Sequence, residues 1–223
     1  MWGYDRIDLR HIEFGSVLGE DGKLLRTRSG DTVKLSELLD EAEERATAIV
    51  NELRPDLPEE ERKKIGTAVG VAAVKYADLM QNRSTDYKFS MAKMVALEGN
   101  TAPYLMMQYV RCRSIFRKSG TTPEEVRASA SAIRLEHPTE QALAKHVLRL
   151  PDALRLAAAE CRPNFIAAFL YELSEKYSAF FRDCPVIQSE GETRLSRLRL
   201  CDLVARTLRL GLSLLGIPTV EQM

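Results

Sequence analysis

"TAPYLMMQYVRCRSIFRK", residues 101–118, carries two tyrosines, three arginines and a lysine, with no glycine and with its one proline near the front. Proline suits the first turn of a helix and nothing after it breaks one, so the stretch predicts a helix from about Tyr104 to Lys118. Two readings of its side chains are open. Tyr104 and Tyr109 can offer stacking faces while Arg111, Arg113, Arg117 and Lys118 offer phosphate partners, a combination suited to a splayed single-stranded RNA loop. Alternatively the tyrosines are core residues and the cations a solvated face.

Outward from this helix, the pattern stays helical. On its C-terminal side "SGTTPEE" predicts a stop and a new start, with Thr122 as cap, Pro123 opening and Glu125 completing a capping box. "EHPTEQ" repeats the device with Thr139. "LPDALRLAAAEC" and "RPNFIAAFLYELSEKYSAFFRDC" predict two more helices. The tetrapeptide Asp-Ala-Leu-Arg at 152–155 is read as coincidental. A last helix spans about Thr193 to Leu215, apolar around much of its girth and therefore central in a bundle, with Gly216 and Pro218 ending it. On the N-terminal side "ALEGNTAP" (96–103) is the expected domain joint. Asp21-Gly22 predicts the turn of a β-hairpin over residues 12–28. Leu35, Leu38, Leu39, Ala42, Ala46, Ile49, Val50 and Leu53 mark one helical face, capped by Ser36. A helix from about Glu59 to Met80 follows Pro58, with Gly66, Gly70, Ala72, Ala73 and Ala77 permitting close approach of a neighbour. "QNRSTDYKFS" reads as a loop or short extended piece. The expected class is mainly α: a helical bundle preceded by a short β-hairpin and further helices, about seven helices in all.

Composition narrows the function. The chain has 223 residues, 45% hydrophobic and 29% charged, with Lys plus Arg equal to Asp plus Glu at 32 each. That is a globular composition, and affinity for an anionic partner must come from local clusters. Cys112, Cys161, Cys184 and Cys201 form no CxxC pair, so no zinc or other metal site is expected. Scattered cysteines and a start without a secretory pattern predict a cytoplasmic protein with reduced thiols, and no apolar run is long enough for a membrane partner. The only histidines are His11, His137 and His146. His137 and His146 are read as structural or exposed.

"FGSVLGEDGKLLRTRSGDTVKLSELLDEA" resembles the stretch of bacterial-type arginyl-tRNA synthetases that follows the nucleotide-binding core. There a loop in place of the class I "KMSK" signature helps to hold ATP phosphates. The resemblance therefore implies that Arg26, Thr27, Arg28 and Ser29 contact ATP, although without it a strip of arginines and hydroxyls is equally an exposed hairpin arm. "AVGVAAVKYADLMQNRSTDYKFSMAKMVALEGNTAPYLMMQYVRCRSIFRK" is similar to the family's junction between catalytic and anticodon-binding domains, and "SRLRLCDLVARTLRLGLSLLGIPTVEQM" to its C-terminal helix and tail. The resemblance implies a division at residue 96: a C-terminal remnant of the class I catalytic domain over 1–96, and a helical anticodon-binding domain over 97–223.

The same resemblance implies that tRNA(Arg) is the partner. Tyr104, Tyr109, Arg111 and Arg113 would meet the anticodon loop, although the family's Pro-Tyr-Leu-Gln-Tyr is here Pro-Tyr-Leu-Met-Met, with Met107 in place of the second tyrosine. Tyr171 and Tyr177 come from an aromatic-rich helix that also faces the anticodon pocket, and Met223 from a tail that lies near the loop. Arg197 belongs to a run with Arg194, Arg199, Arg206 and Arg209 whose charge can guide RNA. Lys75, Tyr76, Gln81, Asn82 and Arg83 resemble a segment near the inner corner of tRNA. No pair of histidines has the class I "HIGH" spacing, and no Gly-rich βα turn precedes the hairpin. The chain alone is therefore expected to be inactive in arginine activation and to hold no cofactor, ATP and Mg belonging to the complete arginine–tRNA ligase. Expected partners are tRNA(Arg) and the missing N-terminal catalytic half, not DNA, with self-association through surface exposed on the 1–96 segment. The competing expectation is a synthetase-derived helical adaptor that binds protein and no longer binds tRNA.

Overall fold

The computed structural model describes residue 7 and residues 9–19, 21–24, 34–129 and 132–223. In chain order the elements are β1 (Val17–Leu18), α1 (Leu35–Leu53), α2 (Glu59–Leu79), β2 (Tyr87–Lys88), α3 (Met91–Met94), α4 (Ala102–Ser119), α5 (Pro123–Ala128), α6 (Pro138–Val147), α7 (Leu150–Glu160), α8 (Asn164–Asp183) and α9 (Gly191–Leu214). The class is the mainly α one expected, with nine helices among the described residues. No helix among them is long and apolar enough to cross a membrane.

Helix boundaries follow local chemistry. Thr101 caps α4 by accepting from the Tyr104 amide at 3.2 Å, and α4 stops at Gly120, whose φ is +67°. Thr122 and Glu125 form the expected capping box of α5. At α6 the cap is two residues earlier than expected: His137, not Thr139, takes that place, with Glu140 closing the box. Thr139 Oγ1 instead lies 2.7 Å from His137 Nδ1. Ser36 lies inside α1, and Lys34 stands at the cap without a side-chain bond. At the end of α9, Gly216 at φ +68° lets Ile217 N donate to Leu212 O at 2.9 Å and Gly216 N to Ser213 O at 3.0 Å. These crossed bonds satisfy carbonyls that the helix end would leave open.

The hairpin turn forms where Asp21-Gly22 placed it: Gly19 N donates to Lys23 O at 2.7 Å, and Leu18 bridges Leu24 antiparallel. The continuation of the second arm lies outside the described residues. What β1 pairs with is new: it runs parallel to β2, Val17 opposite Tyr87. Asp86 fixes this register by accepting from Ser16 N at 2.7 Å.

Helix α9 packs against α4, α5, α6 and α8, the central place expected from its apolar girth, while α8 also covers α6 and α7. Helices α1 and α2 form a close antiparallel pair whose contact is set by Gly66 and Gly70. A Cβ on Gly70 would stand 2.6 Å from the backbone N and Cα of Glu43, and one on Gly66 would collide with Thr47.

The segment around residue 96 is a turn, with Gly99 at φ +73°, yet the core runs straight across it. Ile65, Val69 and Tyr76 of α2 share one apolar cluster with Leu105 and Tyr109 of α4 and Leu170 of α8. Tyr76 is fully buried and donates to Asn100 Oδ1 at 2.6 Å, with Ala167 O 3.1 Å away. Arg83 binds three carbonyls: Glu13 at 2.6 Å, Cys161 at 2.9 Å and Glu160 at 3.3 Å. A cation at the C-terminal end of α7 meets its carbonyl dipoles favourably. Tyr76 and Arg83, grouped by resemblance with a tRNA-contacting segment, are therefore committed to internal packing.

His146 is buried and stacked on Phe169, ring centroids 4.5 Å apart, with Nε2 2.9 Å from Phe169 O. Burial lowers its pKa, partly offset by that carbonyl and by Glu172. A depressed imidazole favours protonation in the unfolded chain. The thermal midpoint should hold above about pH 6.5 and fall as pH drops through that value towards the folded pKa. His146→Phe should flatten this slope, as measured by melting at successive pH values.

Candidate nucleic-acid interface

Helix α4 has two polar faces, because residues three, four and seven apart share a side while those five and nine apart do not. Tyr104, Met107, Arg111 and Lys118 lie along one. Tyr109, Arg113 and Arg117 lie along the other.

The first face borders α8. Tyr104 meets Tyr171 edge to face, centroids 6.1 Å apart, and its hydroxyl lies 3.2 Å from Ser178 Oγ. Both tyrosines are half-buried, so each keeps an accessible flank. Further along, the Arg111 guanidinium sits over the Phe181 ring at 5.1 Å and is steadied by Gln108 Oε1 at 3.1 Å. A cation held against a ring in this way presents a flat, charged surface. Met107, Arg111, Lys118 and Phe181 then line an open groove of about 630 Å³, closed on the far side by the loop Pro185–Gln188. One ring, a thioether and two cations in the groove, with the Tyr104–Tyr171 pair further along the same face of α4, suit unstacked bases with their phosphates.

The second face is occupied by the chain's own tail. Tyr109 is 2% exposed and donates to Glu221 Oε1 at 2.8 Å. Arg113 Nε donates to Glu221 Oε2 at 2.9 Å, and Arg117 to Glu221 O at 3.1 Å. Burial and the Glu221 carboxylate both raise the Tyr109 pKa. Tyr109 therefore has no face for a base, and Arg113 is largely neutralised. The tail is fastened further by Lys75 Nζ to Gly216 O at 2.9 Å and Gln222 Nε2 to Glu61 Oε1 at 2.6 Å. Met223 packs half-buried against the bundle core.

Two more sequence candidates are internal. Tyr177 is 0% exposed, enclosed with the Cys112 and Cys201 thiols, and burial drives its pKa well up. The same burial pushes Cys112 up to about 12, so these are inert core groups that cannot stack on RNA or react as thiolates. Arg197 is consumed by protein acceptors: Glu140 Oε1 at 2.8 Å, Ser189 Oγ at 2.8 Å and Pro185 O at 3.0 Å. Thus Tyr104 meets Tyr171 and, about two turns further along the same face, Arg111 meets Phe181, while Tyr109, Tyr177 and Arg197 hold the scaffold. Arg26, Thr27, Arg28 and Ser29 lie outside the described residues. Sequence reasoning missed Phe181 and Met107 as groove walls. Phe181 lies ten residues beyond Tyr171 on α8, about 80° short of three full turns, so helical spacing alone did not mark it as a partner of that face.

Comparison with known proteins agrees with this architecture. Residues 105–223 match the family described as the DALR anticodon binding domain, and residues 1–91 match the class I (R) tRNA synthetase catalytic domain. The arginine–tRNA ligase of Laribacter hongkongensis is 49% identical over 220 residues, 98% of this chain and 37% of the relative. That of Trichodesmium erythraeum is 49% identical over 229 residues, 100% of this chain and 38% of the relative. The Thermus thermophilus arginyl-tRNA synthetase structure superposes with a TM-score of 0.83 at 30% identity, covering 94% of this chain and 35% of that one. The Plasmodium falciparum enzyme gives 0.79 at 30% identity, covering 96% and 35%. The chain thus spans little more than a third of the relatives it matches. It belongs to the DALR anticodon binding domain family and corresponds to the C-terminal part of arginyl-tRNA synthetases.

Proposed function

We propose that this chain is the tRNA(Arg)-binding portion of an arginine–tRNA ligase and receives the anticodon loop in the groove between α4 and α8. The observation that supports this reading most is the line from Tyr104 and Tyr171 to Arg111 and Phe181, which sets aromatic flanks beside guanidinium and ammonium groups on one rigid wall. Bases stack on such rings while the cations screen the backbone. The KMSK-equivalent loop over Arg26–Ser29 would serve ATP-dependent arginylation only together with an N-terminal catalytic part. No arginine activation is expected from these 223 residues alone. Such a part would also cover Leu9 and Phe14, which stand 90% and 87% exposed.

A filter-binding titration with tRNA(Arg) and an anticodon-altered transcript tests the reading. Tyr104→Ala and Arg111→Ala should each weaken binding by about 1–3 kcal/mol, with Tyr104→Ala eroding the distinction between the two RNAs. Unchanged affinity in both variants would remove the groove from consideration. Binding of no RNA, together with retention of a protein partner over Leu9 and Phe14, would favour the adaptor reading. ATP–pyrophosphate exchange by the isolated chain would contradict its expected inactivity.

A further inference from the structure

On the side of α4 away from the groove, a polar pocket of about 190 Å³ opens between α4, α5 and α9. Its walls carry Arg113, Arg127, Arg206 and Arg209 against the carboxylates of Glu124 and Asp202. The charges are not matched. Glu124 takes Arg127 at 2.6 Å, and Glu221 takes Arg113 at 2.9 Å. Asp202, almost fully buried at the base of the pocket, lies 3.4 Å from Arg127 Nε and 3.8 Å from Arg206. Both distances exceed the about 2.7–2.9 Å of a good charged hydrogen bond. Arg206 has no other acceptor among the described residues, and Arg209 has none at all among them. These two stand three residues apart on α9 and so project side by side.

Two neighbouring guanidinium forks with open N–H donors, set in a concave polar surface, match the oxygens of a phosphate group. Asp202 repels an anion from the base of the pocket but holds Arg206 and Arg127 at its mouth, which is where a phosphate would rest. We propose that this pocket binds a backbone phosphate of the RNA whose loop enters the groove. The assignment rests on the RNA-binding reading above. A helix with its side chains is about 10–12 Å thick, and the exposed Lys118 and Arg117 at the C-terminal end of α4 bridge the two faces.

The test is the Arg206→Gln/Arg209→Gln double variant, and beside it the Arg209→Gln single variant, which leaves the Asp202–Arg206 pair in place and should melt with the parent. In filter binding with tRNA(Arg) at several salt concentrations, affinity at low salt should fall about five- to twentyfold. The loss should be equal for tRNA(Arg) and the anticodon-altered transcript, and the slope of log affinity against log salt should flatten by about 1–2. If the parent binds tRNA and the double variant binds with the same affinity and slope, the pocket assignment is overturned while the groove stands. If the parent binds no tRNA, the reading of the groove fails first. The pocket is then judged by titrating inorganic phosphate while following arginine Nε–H resonances. Shifts at Arg206 and Arg209 would replace RNA by free phosphate as the source, and their absence would overturn the site.

Discussion

Replacing Arg197 by methionine should destabilise the fold by about 3–5 kcal/mol, the range for stripping one partner from a buried ion pair. The Arg197 side chain is 15% exposed and that of Glu140 only 2%. Glu140 Oε2 already accepts from the backbone amides of Glu136 and His137, each at 2.9 Å, while Oε1 takes Arg197. Without the guanidinium, a carboxylate remains enclosed with half its acceptors empty, and methionine also releases the loop carbonyl of Pro185. The acid limb of stability should change as well. Burial pushes the Glu140 pKa up, but the His137 amide, Arg197 and the Glu136 amide outweigh it and hold the carboxyl below its ordinary value. A depressed carboxyl stabilises the fold above its unfolded pKa, about 4.3, and that stabilisation is lost as pH falls through the folded value. In Arg197→Met part of that depression is removed, so this acid-side loss should become smaller even as stability at neutral pH falls. Urea titrations at neutral and mildly acidic pH measure both effects. A variant with parental stability but weakened tRNA binding would return Arg197 to the RNA interface.

Gly70→Val should be comparably damaging, about 3 kcal/mol or more, and Gly70→Ala about 1–3 kcal/mol. Helix propensity alone predicts the opposite for alanine, a gain of about 1 kcal/mol in a helix interior. The sign therefore reports the packing. A Cβ here meets backbone atoms of Glu43 and Ala42 at 2.6–2.7 Å. Backbone in a neighbouring helix cannot rotate aside as a side-chain tip can, so α1 must lift off α2. Chemical denaturation of the two variants measures the cost. A stabilised Gly70→Ala would mean that α1 and α2 are further apart than their geometry here.

The ends of the helices were the most legible part of the sequence, because caps are local. Thr122 and Gly216, both read from the sequence, act within a few residues of themselves, whereas Ser36 fell inside its helix. The small residues of α2 also announced a close neighbour, though not which one. His137 escaped recognition as a cap because Thr139 offered a stronger capping residue type, and only the geometry of Glu140 decided between them. The parallel pairing of β1 with β2 joins residues 70 apart, a separation at which no local pattern speaks.

The candidate site was legible in its ingredients and not in its selection. Tyr104, Tyr109, Tyr171 and Tyr177 are the same chemical type on helices of the same kind. Which of them faces out depends on what each helix packs against: Tyr177 points at Cys112 and Cys201, and Tyr109 lies under a tail that begins only at Gly216. Residue order specified the helices, their caps, the resemblance to arginyl-tRNA synthetases and the mixture of rings and guanidiniums, because those properties reside in short spans of chain. The partners of those rings and cations were decided by three-dimensional packing. Burial and charge pairing depend on atoms brought together from distant positions, such as Glu221 on Arg113 and Glu140 on Arg197.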